Sequence, residues 1–210
     1  TMLGPIIYED VDEKYKGLDK NIYTSDGFTN YTVFSLWDTY RALHPLFNII
    51  QPERNNNMIK SMLAHQQQSV HGMLPIWSHY ANENWCMIGY HSASVIADAI
   101  VKNVGDFNKT NALNACISTS NVAYFDGVES YIEKGYVPED VSSSSVSKTL
   151  EFAYNDWCIA QISEKLNNTN ITLEYLKRAE NYKNVYDSKK GFMRPKLNDG
   201  TWKEPFDPMD

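Results

Sequence analysis

The spacing of apolar positions along the chain predicts a mostly helical protein. From residue 33 onward, apolar residues recur at the three- and four-residue intervals of a helix, between segments rich in Gly, Pro, Ser and Asn. The predicted helices cover residues 33–50, 52–68, 87–104, 108–122, 146–166 and 172–187. We expect loops over residues 1–32 and 69–85, and little regular structure in the tail from Tyr186 to Asp210.

The segment 87–104 differs from the other predicted helices because it is apolar nearly all round. We therefore expect a buried inner helix with Val95, Ile96 and Ala99 in the core. The run Ser142–Ser145 offers hydroxyl groups that could cap the N-terminus of the helix after it. Alternating buried and amphipathic helices indicate antiparallel helix pairs, either wound as a toroid or stacked as a solenoid. No motif repeats at a fixed period, which disfavours a helical-repeat adaptor.

The acidic composition narrows the range of partners. The 210 residues carry a net charge of −7, which argues against a nucleic-acid partner because such a partner requires a basic face. No long uncharged apolar run occurs, so we predict no membrane span. Aromatic residues make up 13% of the chain, a share that fits carbohydrate binding as well as a large aromatic core.

The three cysteines, Cys86, Cys116 and Cys158, are widely spaced and form no metal-ligand pattern. Each falls in an apolar helical context. We therefore expect buried free thiols rather than a disulfide framework or a metal site.

The segment Ser35–Leu46 combines residue types that a plain core helix does not need. Trp37 supplies an aromatic face, and Asp38 and Arg41 would share one side of a helix. Such a combination can grip a polyol, because the ring covers the C–H face of a sugar while charged groups bind its hydroxyls. An amphipathic helix with a solvated Asp–Arg pair is the alternative interpretation.

Several strings along the chain occur in the same order as in a known family. They are Leu36-Trp37-Asp38-Thr39, Leu74-Pro75-Ile76-Trp77, Cys86-Met87-Ile88-Gly89-Tyr90-His91, Val95-Ile96-Ala97-Asp98-Ala99, Gly135-Tyr136-Val137-Pro138, Ser145-Val146-Ser147-Lys148-Thr149-Leu150-Glu151, Asn155-Asp156-Trp157-Cys158-Ile159-Ala160, Asn181-Tyr182-Lys183-Asn184, Gly191-Phe192-Met193-Arg194-Pro195 and Pro205-Phe206-Asp207-Pro208. Over roughly residues 15–208 the chain resembles glycoside hydrolase family 92, the calcium-dependent exo-acting α-mannosidases that invert the anomeric centre. Several strings in a fixed order make this resemblance specific.

The resemblance implies an all-α fold that is part of an (α/α)6 barrel. Residues 1–210 would be a partial barrel domain, with a preceding β-sandwich and the remaining barrel absent from this chain. The partners implied are a mannose-containing glycan and these missing domains of the parent protein. The family also implies a periplasmic, secreted or cell-surface location for the parent.

The catalytic strings of the family do not occur in this sequence. Its general acid lies in a Thr-Glu-Gly-Asn type string and its base in a Gly-Asn-Asp/Glu-Asp string, and the calcium-binding Gly-Asn-Glu-Pro string is absent as well. The resemblance therefore implies Ca²⁺ as a cofactor whose ligands lie outside this chain. We expect no catalytic residue and no metal site in these 210 residues, and no mannosidase activity from the chain alone.

The substrate contacts implied by the resemblance begin with Trp37 and Asp38, which match the Trp-Asp pair that lines the pocket for the terminal mannose. Arg41 either orients Asp38 or forms a surface salt bridge. Glu83 lies in a loop where it could meet a ligand, although the family often has Thr where this chain has Asn84. His91 is either a ligand contact or a buried, satisfied histidine.

Other candidates are interpreted as structural. Asn155 stands where the family commonly has an acidic residue, so that position is not expected to be catalytic. Asp156 is interpreted as a helix-surface or structural residue. Tyr136, Pro138 and Glu139 follow a glycine turn and are expected to form a tight connector.

Two other functions stay open on the sequence. A non-catalytic helical module that binds carbohydrate or protein would fit the aromatic, acidic composition and the missing catalytic strings. An (α/α)6 enzyme of another carbohydrate class is disfavoured by the ordered strings. A Thr-Glu-Gly-Asn string downstream of Asp210 in the parent reading frame would favour the mannosidase over the binding module.

Overall fold

The computed structural model describes residues 4–209, in which helices form the framework. The α-helices are α1 Leu36–Thr39, α2 Leu43–Ile50, α3 Pro52–Gln68, α4 Ser92–Val101, α5 Lys109–Thr119, α6 Val128–Lys134, α7 Ser145–Lys165 and α8 Thr169–Ala179, and a 3₁₀ helix follows at Glu180–Val185. The helix-rich prediction is confirmed. The predictions for residues 1–3 and 210 lie outside the described residues.

Short antiparallel strands occur mostly in segments that the sequence pattern predicted to be irregular, although the strands at residues 34–35 and 186–187 fall within predicted helices. They are β1 Ile6–Ile7, β2 Lys14–Lys16, β3 Ile22–Thr24, β4 Tyr31–Thr32, β5 Phe34–Ser35, β6 Trp77–His79, β7 Asn82–Glu83, β8 Tyr186–Asp187 and β9 Phe192–Met193. The sheets pair β1 with β4, β2 with β3, and β8 with β9, while β5, β6 and β7 form a three-stranded sheet. Strands of two or three residues are too short for a period-two pattern to reveal.

The predicted single helix over residues 33–50 is wrong, because the structure divides that segment. Val33 has a φ of +65°, which is not a helical conformation, and α1 and α2 are separate helices. Pro45 explains where α2 begins. Proline has no N–H group and fits only within the first turn of a helix, so a continuous helix from residue 33 would lose a hydrogen bond at Pro45.

One helix that the sequence pattern did not predict, and the capping of another, also differ from the prediction. The missed helix α6 lies between Gly127 and Gly135, whose φ angles of +91° and +76° suit glycine and mark its two ends. At α7, no serine side chain caps the helix. Instead, the backbone N–H of Ser145 donates to Oε2 of Glu139 at 3.3 Å.

The core forms around α4, as predicted. Val95, Ile96 and Ala99 are all buried, and α4 packs against α7, which in turn packs against α8. The predicted start of this helix at residue 87 is wrong, because Met87 and Gly89 have φ angles of +66° and +80°. The chain therefore runs as a loop up to α4.

A buried polar network ties α7 to its neighbours through Asp156. Its carboxylate accepts hydrogen bonds from the Tyr90 hydroxyl at 2.7 Å, the Tyr131 hydroxyl at 2.8 Å and Nε of Arg178 at 2.9 Å. Burial raises the pKa of Asp156, and the Arg178 guanidinium opposes that shift. Asp156 is thus a structural residue, and the helix-surface alternative is wrong.

The thiols divide into two classes. Cys116 and Cys158 are buried as predicted, and burial raises the pKa of Cys158 to about 12. Cys86 is exposed, so its predicted burial is wrong; it lies in the loop before α4, between Trp85 and Met87, rather than in a helix. Between residues 4 and 209, no helix is long and apolar enough to cross a membrane.

Candidate functional site

The Trp-Asp pair lies on α1, at the edge of a compact group of charged and aromatic side chains. Trp37 is half-buried and Asp38 is exposed. The guanidinium carbon of Arg41 lies 4.7 Å from the centre of the Trp37 ring and 4.8 Å from the centre of the Tyr40 ring. Cation–π contact at these distances holds the cation against both rings.

The predicted pairing of Arg41 with Asp38 is wrong. Arg41 lies beyond the end of α1, so the helical spacing that would bring the two side chains together does not apply. Its partner is Glu151 on α7, with 3.7 Å between Nη2 of Arg41 and Oε1 of Glu151. Within residues 4–209 no ion pair engages Asp38, whose exposed carboxylate can therefore accept hydrogen bonds from a ligand.

Buried His91 packs against the aromatic and charged side chains near Trp37. Its ring is 1% exposed and stacks on Tyr40, with 4.1 Å between ring centres and 2° between planes. Nε2 of His91 lies 2.8 Å from Oε2 of Glu151, although that nitrogen is poorly aligned for a hydrogen bond. We call Trp37, Tyr40, Arg41, His91 and Glu151 the Trp37 cluster.

Asn155 determines the orientation of His91. The backbone N–H of Tyr90 donates to Oδ1 of Asn155 at 2.8 Å, which leaves Nδ2 of Asn155 to donate to Nδ1 of His91 at 3.0 Å. Nδ1 is then an acceptor, so the proton of the neutral imidazole lies on Nε2, towards Glu151. Of the two interpretations of His91, the structure shows the buried position. The ligand contact stays a prediction.

Glu83 organises the loop between β6 and α4. Its carboxylate accepts four backbone N–H groups, at 2.8 to 3.1 Å. The donors belong to Ile76, Trp77, Asn84 and Trp85. Because its side chain is only 6% exposed, the carboxylate has little capacity left for a ligand. Its predicted substrate contact stays a prediction.

Sequence reasoning did not predict that Tyr40, Glu151 and Asn155 surround His91: it took Tyr40 as apolar helix surface, Glu151 as one of several candidate carboxylates and Asn155 as a non-catalytic position. Glu151 and Asn155 are four residues apart on α7, so they share a helix face, and both contact His91. Their helical spacing was visible in the sequence. Their common partner was not, because His91 is distant in the chain.

No metal centre forms among the residues that the structure describes. From Gly4 to Met209, no group of three or more His, Cys, Asp or Glu side chains gathers closely enough to hold a metal ion. Calcium takes six to eight oxygen ligands, backbone and amide carbonyls among them, so the expectation that the calcium ligands lie outside this chain stays a prediction.

Comparison with known proteins gives the family. The profile described as the glycosyl hydrolase family 92 catalytic domain matches residues 1–210. The chain belongs to glycosyl hydrolase family 92. This finding confirms the family that the ordered strings resembled.

Solved family 92 structures have the same fold over this region. A family 92 α-mannosidase from Bacteroides thetaiotaomicron is 51% identical, with a TM-score of 0.97 over 99% of this chain and 28% of its own. A family 92 inverting mannosidase from the same organism is 34% identical, with a TM-score of 0.88 over 97% of this chain and 28% of its own.

A curated relative is more distant. An uncharacterized secreted glycosidase of Arthroderma benhamiae is 25% identical over an alignment 159 residues long, which covers 62% of this chain and 20% of that protein. The present chain therefore spans about a quarter of the length of its family 92 relatives.

Proposed function

We propose that the protein containing this region is an exo-acting α-mannosidase that removes terminal α-linked mannose from glycans with inversion. The observation that carries the proposal is the exposed Asp38, which no ion pair engages between residues 4 and 209 and which follows the half-buried Trp37 in α1. Two relatives described as mannosidases, one of them inverting, support it.

In this proposal Asp38 and the Trp37 cluster hold the sugar and perform no proton transfer. Trp37 covers the C–H face of the mannose, and Asp38 accepts hydrogen bonds from its hydroxyl groups. Arg41 packs against the Trp37 ring and pairs with Glu151, and these two contacts together restrain the ring. The binding energy fixes the orientation of the anomeric carbon relative to groups outside this chain.

The acid, the base and the calcium ligands belong to other parts of the parent protein. Inversion requires an acid at the leaving oxygen and a base that activates water on the opposite face, with their carboxyls about 6.5–9.5 Å apart. We also propose that residues 1–210 form part of an (α/α)6 barrel and that the parent acts outside the cytoplasm. A relative described as a secreted glycosidase supports that location.

The test replaces Asp38 in the full-length protein. Losing a charge-assisted hydrogen bond of about 1.5–3 kcal/mol should lower kcat/KM of Asp38→Ala on an aryl α-mannoside by more than about tenfold. Asp12→Ala is the matched control, since Asp12 is exposed and pairs only with nearby Lys14. NMR of the first-formed sugar gives the anomer, and a chelator tests the calcium requirement.

Three outcomes would overturn parts of the proposal. Unchanged kinetics for Asp38→Ala would remove Asp38 from the site. Binding of mannosides without turnover by the full-length protein would favour a non-catalytic carbohydrate-binding module. Chelator-sensitive turnover by the 210-residue chain alone would place the acid, the base and the metal site within it.

A further inference from the structure

A series of side-chain contacts leads from the interior of α7 to the Trp37 ring. Asn155 is fully buried and contacts His91, which is itself 1% exposed. His91 lies against Glu151, and Glu151 pairs with Arg41. Arg41 then packs against the ring of Trp37. A residue that does not reach the surface is therefore linked to the aromatic face of the candidate site.

The two carboxylate oxygens of Glu151 have different partners. Oε2 lies 2.8 Å from Nε2 of His91, and Oε1 lies 3.7 Å from Nη2 of Arg41. At 2.8 Å a ring nitrogen that carries a proton attracts a carboxylate, whereas the lone pair of an unprotonated nitrogen would repel it. The position of Glu151 thus depends on which nitrogen of His91 is protonated.

Asn155 selects that nitrogen. Its amide orientation is fixed because Oδ1 accepts the backbone N–H of Tyr90 at 2.8 Å, so Nδ2 must face Nδ1 of His91, at 3.0 Å. An amide N–H only donates, and a second proton on the imidazole would set two N–H groups against each other. His91 is therefore neutral with its proton on Nε2, which is also the form that the contact with Glu151 requires.

The His91 ring has little room to turn away from these partners. Gly89, with a φ of +80°, leaves space for it, since a Cβ there would lie 2.5 Å from Nε2 of His91 and 3.1 Å from Oδ1 of Asn155. The Tyr40 ring covers one face of the imidazole at 4.1 Å between centres. A change in the protonated nitrogen would consequently displace Glu151 rather than the ring.

We propose that Asn155 is a positioning residue for the sugar-binding side chains near Trp37. It holds His91 in the neutral form that carries its proton on Nε2, so the charge of Glu151 stays available to Arg41. The Arg41 guanidinium in turn restrains the Trp37 ring that covers the sugar. This proposal rests on the proposed mannosidase function and gives Asn155 no contact with the substrate.

The first experiment observes the imidazole directly in the full-length protein. Asn155→Asp keeps the size of the side chain and the acceptor for the Tyr90 N–H, but it replaces the donor that faces His91 with an acceptor. Solid-state ¹⁵N NMR of ring-labelled histidine, with His91→Gln to identify the signals, reports the protonated nitrogen. We expect the proton on Nε2 in the wild type, and a protonated Nδ1 in Asn155→Asp.

The second experiment measures whether the change reaches the sugar. Asn155→Asp should raise KM on an aryl α-mannoside by about three- to tenfold and change kcat by less than about twofold, because only the restraint on the Trp37 ring weakens. Asn155→Ala removes the donor without adding a charge beside Glu151, and it should raise KM in the same direction. Asn111→Asp makes the same substitution at an exposed position of α5 and should leave KM unchanged.

The contrary results separate this proposal from the proposed function. A wild-type His91 that is protonated on Nδ1, or the same protonated nitrogen in wild type and Asn155→Asp, would overturn the role of Asn155. A changed imidazole with an unchanged KM would show that Asn155 affects His91 without positioning the sugar-binding side chains. A wild-type enzyme that cleaves no α-mannoside would overturn the mannosidase assignment, whereas the NMR result does not depend on turnover.

Discussion

The Asp156–Arg178 pair offers a quantitative test of how this helical framework is held together. Asp156 is fully buried and the Arg178 side chain is 13% exposed. Removing one member of a buried pair leaves an uncompensated charge, which costs about 3–5 kcal/mol of unfolding free energy. We therefore expect that loss for Asp156→Ala and a similar loss for Arg178→Met.

The two tyrosine hydroxyls should add little to the cost of Asp156→Ala. The Tyr131 hydroxyl also reaches the Arg178 carbonyl oxygen at 3.1 Å, and the Tyr90 hydroxyl reaches the Phe152 carbonyl oxygen at 3.4 Å. Each hydroxyl therefore keeps an acceptor after the carboxylate is removed. An unsatisfied buried hydroxyl would otherwise cost a further 1–3 kcal/mol or so.

The double variant supplies the decisive comparison. Asp156→Ala combined with Arg178→Met removes both charges, so it should lose at least about 2 kcal/mol less than the sum of the single losses. Urea unfolding followed by tryptophan fluorescence measures all three variants. Losses that add to within about 0.5 kcal/mol would refute the idea that the pair acts as a unit. Glu180→Ala, which breaks the exposed pair with Lys183, should leave the midpoint unchanged.

Three further predictions concern other positions. Gly89→Ala should destabilise the protein by about 1–3 kcal/mol and reduce activity, as unfolding and kinetic assays would show. Gly89 has a φ of +80°, and the new Cβ would lie 2.5 Å from Nε2 of buried His91. Burial lowers the pKa of His44 from 6.5 to about 4. As the pH falls through 6.5, His44 is protonated in the unfolded chain but not in the folded chain. The free energy of unfolding should therefore fall by about 2 kcal/mol between pH 7 and pH 5. His44→Gln should remove that part of the pH dependence when unfolding is measured in urea titrations. Cys86 should react with a thiol reagent in the native protein, whereas the two buried thiols should react only after denaturation.

The core of this fold could be predicted because its signals are local. The apolar run around Val95, Ile96 and Ala99 predicted a buried helix, and Pro52 marks the first residue of α3. The break between α1 and α2 was also predictable, since Pro45 excludes a continuous helix. The prediction of one helix over residues 33–50 followed the apolar spacing instead. The glycines on either side of α6 were a second readable signal.

The site was only partly predictable because its contacts are long-range. The ordered strings identified Trp37 and Asp38 as candidates, and their role in ligand binding stays a prediction. The partners of Arg41 and His91 come from α7, and no local spacing specifies which acidic residue of a distant helix meets them. The helical spacing that seemed to pair Asp38 with Arg41 failed because the helix ends before Arg41.

The Glu83 carboxylate has a consequence for the thermodynamics of ligand binding at this loop. It gathers four backbone N–H groups into one loop, and ordering each residue costs about 1–2 kcal/mol of conformational entropy. That cost is incurred when the chain folds and not when a ligand binds. The loop that carries Trp85 is therefore already ordered, so association need not restrict it any further. Under the proposed function, selectivity among glycans would then depend on how well each one fits a fixed shape.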